Sequence, residues 1–332
     1  MNCLRVILIV LLPFTTIWGA CAIAMGDFDG GNTKIAVASL FGIFGLLTLI
    51  GLVLRRWLKI LVSSYLLVFA FVTIGWMNIS PSNDRHWQTD ASKLAYADFA
   101  GDLVTVHNIR NYSYQSEFDY QPAYYDKTFA LNDLQGVDLF SVYWMGPAIA
   151  HTIISFDFGG NNHLAISIEA RKELNEGYST IKGFFRQYEL IYFVADERDV
   201  IRLRTNYRKN PPEHVYRYRL QGRLDNAKNL FLAYMRKINE LNQKPEFYNT
   251  LLDNCTTAIW LLSKINPEHL PFSWKILLSG YVPQYLYEQQ RLDTRIPFAQ
   301  LRKNAYINPR ARAADQAADF ATRIRALDSA TN

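Results

Sequence analysis

The sequence predicts an α+β fold held at a membrane, and three observations predict it. Three long apolar runs fill the first eighty of its 332 residues, an alternating hairpin pattern lies between His151 and Arg171, and a helix-like apolar run begins at a lone cysteine, Cys255. Half of the residues are hydrophobic. They are concentrated at the start, and the remainder has ordinary soluble composition rich in Tyr, Arg and Asp.

The apolar runs are Leu4 to Met25, Ile35 to Leu54 and Leu58 to Met77. Each reaches the ~20 residues that cross ~30 Å of hydrocarbon as a helix, and each is apolar all round, unlike a helix half-buried in a soluble core. Arg55, Arg56 and Lys59 form a basic turn between the second and third runs, whereas Asp27 and Asp29 lie between the first and second. Basic loops stay in the cytoplasm. Counting from that turn, the amino terminus, with Arg5, is cytoplasmic, and everything after Met77 lies in the periplasm of a bacterial inner membrane. Trp57 and Trp76 stand at span ends, where interfacial aromatics belong. Trp18-Gly-Ala-Cys21 has the outline of a lipoprotein processing site, but Trp18 replaces the small aliphatic residue such sites prefer, so the first run is read as a span.

The formal net charge of +5 is too small and too dispersed for a nucleic-acid surface. Anionic lipid headgroups are the better match, so a membrane lipid is the expected partner.

Asn78 to Arg85 reads as a tether, Trp87 to Gly101 as helical or irregular, and Leu103 to Tyr125 as a Tyr-rich strand and turn. Val137 to Met145 is a strand ended by Gly146-Pro147. Next comes a hairpin, His151 to Phe158 and His163 to Arg171, around Gly159-Gly-Asn-Asn162, whose glycines and asparagines supply the positive torsions of a tight reversal. Thr152, Ile154, Phe156 and Phe158 share an apolar face with Leu164, Ile166, Ile168 and Ala170; His151 then falls opposite Glu169 or Arg171 on a polar face. Phe184 to Asp196, Asp199 to Arg204 and His214 to Leu220 read as further strands of an antiparallel sheet. Arg202, Arg204, Arg208, Arg217 and Arg219 read as its solvated face, with phosphate contact as the alternative. Asp225 to Asn242 and Thr256 to Ile265 have helical spacing. Pro309 onward reads as an exposed Ala-, Arg- and Asp-rich tail.

Cys3 and Cys21 lie in the first apolar run, so Cys255 has no disulfide partner in the soluble part. A helix amino terminus lowers a thiol pKa through its unpaired amides and dipole, and an imidazole can deprotonate the thiol, oriented by a third polar group. His151 is the candidate base and Glu169 its orienting partner. The amide of Cys255, with the Asn254 side chain, would bind an acyl oxyanion. Against this, a buried cysteine is more often inert packing, and the residues alone leave Cys255 and His151 between a dyad and a structural pair. The chain has no Gly-x-Ser-x-Gly elbow, no His-Glu-x-x-His and no phosphate loop, and too few Cys and His for a zinc site; no cofactor or metal is expected.

The segments Gly146 to Phe156, Ile166 to Arg171, Gln187 to Tyr192 with Asp196 to Val200, and Phe247 to Thr250 with Asn254 to Thr257 together resemble the family of the N-terminal periplasmic domain of the lipoprotein N-acyltransferase Lnb, over roughly Val137 to Leu262. The resemblance implies a permuted papain-like (NlpC-type) domain with an antiparallel sheet and a cysteine-bearing helix, in the group that includes lecithin:retinol acyltransferase. It implies a cysteine-dependent acyl transfer with Cys255 as nucleophile, His151 as base and Glu169 as third residue, and a lipoprotein or envelope peptide as a second partner; Asn254, Tyr248, Asn249 and Arg171, which lie in the matching segments, are the candidate oxyanion and site support. The implied organisation is an anchor over 1–80, a tether and first part of the periplasmic domain over 81–136, the catalytic domain over 137–265 and a helical extension over 266–332. The spans precede the catalytic domain, a departure from the acyltransferase architecture that leaves the acceptor open. A cysteine amidase or peptidase of the envelope and a non-catalytic binding or scaffold domain are the competing readings.

The span count is tested by reporters fused after Asn332. A periplasmic phosphatase reporter is expected to be active and a cytoplasmic one silent; the reverse pattern overturns the external assignment.

Overall fold

The computed structural model describes residues 3–28, 31, 33–56 and 58–326, without the side chains of 4 and 58. Asp29 and Trp57, used above for topology and interfacial anchoring, lie outside the described residues. The chain divides into two units, one of residues 1–82, 177–189 and 247–250, the other of 83–176, 190–246 and 251–332.

In the first unit α1 (Cys3–Met25), α2 (Thr33–Leu54) and α3 (Leu58–Met77) are each long and apolar enough to cross a membrane. Large side chains such as Phe14, Leu40 and Phe71 point outward, the reverse of a soluble helix. Between the helices, Leu12, Phe41, Leu52 and Tyr65 form a buried cluster. The Tyr65 hydroxyl meets the Thr15 and Thr16 hydroxyls at 2.9 and 3.0 Å, satisfying a polar group that lipid could not. A Cβ on Gly45 would lie 2.3 Å from Thr16 Oγ1, so glycine is what lets α1 and α2 close at that point. The Arg5 guanidinium donates to the carbonyls of Leu52 and Val53 at 2.9 and 2.8 Å, satisfying the last turn of α2.

The second unit is built on an eight-stranded sheet. Its strands are β1 (Tyr96–Ala100), β2 (Leu103–Arg110), β5 (Tyr124–Ala130), β6 (Gly136–Tyr143), β7 (His151–Asp157), β8 (His163–Arg171), β9 (Glu189–Ala195) and β10 (His214–Arg219). The two-residue strands β3 (Ser113–Tyr114) and β4 (Tyr120–Gln121) pair with each other apart from it. The order is β1-β2-β9-β8-β7-β6-β10, with β5 on β2. Most pairs are antiparallel, and β2 meets β9 in parallel at Arg110 and Ala195. Residues 96–100, read as helical or irregular, are thus an edge strand.

The hairpin register matches the expectation: Ile153 faces Ser167 and Ile154 faces Ile166, which continues to His151 opposite Glu169. Its open polar face does not exist. Every residue of β6 and β7 is buried, on both faces of the sheet. On one face α5 (Leu224–Gln243) packs Phe231 and Tyr234 edge-on against Phe156. On the other, Phe140, Val142, Ile153 and Ala165 pack with Val200 and Ile201 and with Ile307, Ala311, Phe320 and Ile324. The tail expected to be exposed is therefore the cover of the second face. Its alanines and the large apolar residues Phe320 and Ile324 pack into that cluster beside Ile307.

Two further expectations change with it. Asp199 to Arg204 is helical, in α4 (Glu197–Arg202) and the π-turn after it, because Asp196 caps the helix by accepting from the Arg198 amide. The arginines are not a solvated face either. Arg204 pairs with Glu169 and Glu213, Arg217 with Asp138, and Arg219 with Asp157. Arg325 clamps Asp138 and Glu197, both fully buried, at 2.7 Å each. A buried carboxylate needs a partner, and these side chains supply it.

Phe320→Ala removes a fully buried ring from this cover and is expected to cost about 3–5 kcal/mol of stability in denaturant unfolding followed by tryptophan fluorescence. A loss within about 0.5 kcal/mol, as for an ordinary surface change, contradicts the packing.

Candidate active site

The polar loop ends at Asn254 and α6 (Cys255–Ser263) begins at the cysteine, the first helical residue. Asn254 Oδ1 accepts from the amides of Thr256 and Thr257 at 2.9 and 3.0 Å, while Thr257 Oγ1 accepts from the Asn254 amide at 3.0 Å. This capping box fixes where the helix starts and hence where the thiol stands. Thr256, Thr257 and Ala258 are buried, and the amide of Thr152, the residue after His151 on β7, lies close enough to the sulfur to favour its thiolate. The sheet and the helix thus bring Cys255 to the start of the strand that carries His151.

His151 opens a hydrogen-bonded chain. Its Nε2 lies 2.7 Å from Ser167 Oγ, which donates to Glu169 Oε1 at 2.7 Å; Glu169 Oε1 in turn accepts from Arg204 Nη2 at 2.8 Å. Direct approach of His151 Nε2 to Glu169 is longer, 3.5 Å. A serine hydroxyl has one proton, and the carboxylate takes it, so Nε2 must be the donor toward Ser167. In a neutral imidazole that leaves Nδ1 with the lone pair. The tautomer is therefore set by a carboxylate acting through a serine.

Electrostatics overturn one expectation. Burial, opposed by the amides of Thr152 and Cys255, pushes the Cys255 thiol up to about 11, where a lowered pKa was expected from the helix terminus. Some of the residue's surface is open, but the protein around the sulfur costs the thiolate more than two amides return. Burial, reinforced by Arg204 and opposed by Glu169, drops His151 to about 3. Burial alone would raise Glu169; the Arg204 guanidinium prevails and holds its carboxyl well below the usual range. At neutral pH the site rests as a thiol, a neutral imidazole and a carboxylate.

Of the supporting residues, Asn254 is adjacent to Cys255 and its side-chain oxygen is committed to the cap. Arg171 lies on β8 with its guanidinium donating to Ala91 O and Asn83 Oδ1 at 2.9 and 3.0 Å and stacked 4.0 Å over Trp87. Tyr248 and Asn249 belong to the unit of the membrane helices, where the Tyr248 amide donates to the Tyr188 carbonyl at 2.9 Å. Sequence reasoning missed Ser167, Arg204 and Thr152. Ser167 had a signal, since it shares a strand face with Glu169 two residues on; Arg204, 35 residues further along, had none.

Residues 120–280 match the family model described as Lnb N-terminal periplasmic domain, a range that includes Cys255, His151, Ser167, Glu169 and Arg204. No curated protein and no solved structure matches the chain. The match and the three apolar helices describe a membrane-anchored protein with a periplasmic domain.

Only thiolate is alkylated, so below its raised pKa the reaction of Cys255 with iodoacetamide should speed up about tenfold per pH unit from pH 6 through 9. A plateau beginning near neutrality would mean a thiolate–imidazolium pair instead.

Proposed function

We propose that the protein is a membrane-anchored periplasmic cysteine acyltransferase that takes an acyl group from phospholipid or lipoprotein through a thioester on Cys255. One observation carries the reading: the His151–Ser167–Glu169 chain presents an unprotonated Nδ1 on the strand that lies close to the Cys255 sulfur, within the matched residues. An envelope family and helices fit to span a bilayer support a lipid ester as donor. In the same reading Arg5 and the basic turn face the cytoplasm.

With thiol and imidazole both neutral at rest, proton transfer accompanies attack. His151 Nδ1 takes the Sγ proton as sulfur adds to the ester carbonyl, and the imidazolium that forms is stabilised through Ser167 by Glu169. The new oxyanion needs donors, and the Cys255 amide, at the first position of α6, is one that the helix itself does not use. Collapse breaks the C–O bond, the alcohol leaves with the proton from His151, and the thioester remains. An amine then attacks the thioester, gives its proton to His151, and leaves as the amide as sulfur regains its proton. Asn254 acts by holding the helix start, and Arg171 by bracing β8 beside Glu169.

The test is the full chain in lipid nanodiscs with labelled phospholipid and a diacylated lipopeptide. One acyl group should be added to the lipopeptide, with none in Cys255→Ser or His151→Ala and a fall of about a hundredfold in Ser167→Ala. Release of free fatty acid alone would assign water as acceptor. No label on Cys255 in folded protein, with probe reactivity unaffected by His151→Ala, would leave a binding or scaffold domain.

A further inference from the structure

We infer that the cavity running along α6 is the acyl-chain pocket of this site and sets which chain lengths are transferred; this rests on the acyl-transfer reading above. Thr256, Ile259, Trp260 and Ser263 fall on one stripe of the helix, at spacings of three, four and seven, and all four line a cavity of about 560 Å³. Leu139 and Ile154 of the sheet, Leu230 of α5, and Ile276 form facing walls. The stripe starts one residue from Cys255. Thr152, whose amide lies close to the sulfur, lines the same cavity from the sheet side. Cys255 itself does not line the cavity, so a chain held there would reach a thioester carbonyl on Cys255 past Thr152 and Thr256.

The chemistry of the walls selects the occupant. Along the α6 stripe they are a sheet face and helix side chains, whose backbone groups are used within the sheet and the helices; loop residues of 220–223 and 266–270 line the rest. Trp260 Nε1, on the stripe, donates to Leu270 O at 2.9 Å. A peptide in this space would leave its own amides and carbonyls unpaired, at a cost that side-chain burial does not recover, whereas an alkyl chain has no such groups. Polar residues, including Gln221, Asn266 and Arg291, line the cavity toward the other end of α6. From Thr256 to Ser263 the helix rises about 10 Å, so the apolar stretch has a definite depth and a longer tail must emerge among those polar groups.

Two measurements on the full chain in nanodiscs separate this pocket from the chemistry beside it. In Cys255→Ala, a palmitic acid bearing a diazirine on its chain is expected to cross-link to the α6 peptide, and Ile259→Trp, which fills the cavity, to cut that yield at least tenfold. Leu286→Trp fills it from another wall and gives the same reading if the first variant fails to fold, as judged by thermal unfolding. In the otherwise unaltered protein, acylation of Cys255 by p-nitrophenyl esters should gain up to about fourfold in kcat/KM per added methylene until the depth is filled, and Ile259→Trp should flatten that slope. Cross-linking that Ile259→Trp and Leu286→Trp leave unchanged, or acylation at one rate for every chain length, overturns the pocket alone. Cross-linking that the variants abolish, with Cys255 acylated by no ester, supports the pocket and overturns the acyl-transfer reading.

Discussion

The ion pair between Glu169 and Arg204 is the interaction on which the rest of the candidate site depends. Glu169 sits where burial would protonate it, and a protonated carboxyl would have a hydrogen of its own to offer Ser167. The guanidinium keeps it ionised, the ionised carboxylate claims the serine proton, and the serine then accepts from His151 Nε2. One charge pair thus decides which nitrogen of an imidazole two links away carries hydrogen. Arg204 is itself held by Glu213, so the pair belongs to a larger set of compensated charges.

Those charges lie on a sheet covered on both faces, and the cover explains them. α4 and the segment from Ile307 to Arg325 lie over the face that carries Ser155, Asp157 and Ser167, and Arg325 joins Asp138 of β6 to Glu197 of α4. Removing one partner of such a set strands a buried charge, which is far more costly than the set is stabilising. The same segment runs along the outer edge of β10, where Ile307 donates to Val215 O and Asn308 Oδ1 accepts from the Val215 amide, so that this edge offers little to a foreign strand.

What was legible in the sequence was what is local. The spans, the Gly-Gly-Asn-Asn reversal, the strand register and the helix after Asn254 all follow from period and turn chemistry. The cover of the second face was not, because residues 307–325 are mostly Ala, Arg and Asp, a composition that reads as solvated until partners up to 187 residues away come into view. α4 was misread because Val200, Ile201 and Leu203 suit a strand as well as a helix; the deciding signal was Asp196 as a cap. His151, Glu169 and Cys255 were chosen as candidates by residue type and register, and the structure sets Cys255 beside His151's strand. Ser167 and Arg204, which tie the set together, act through geometry that no spacing rule encodes.

The raised thiol pKa has a meaning for the life of the protein outside the cytoplasm. Peroxides and disulfides are attacked by thiolate, not by thiol. A sulfur that stays protonated near neutral pH is a poor target for either, even at a helix terminus with surface open to solvent. The burial that raises the thiol pKa also shelters Cys255, and in an oxidising compartment it would favour the reduced form of a cysteine with no disulfide partner in the soluble part.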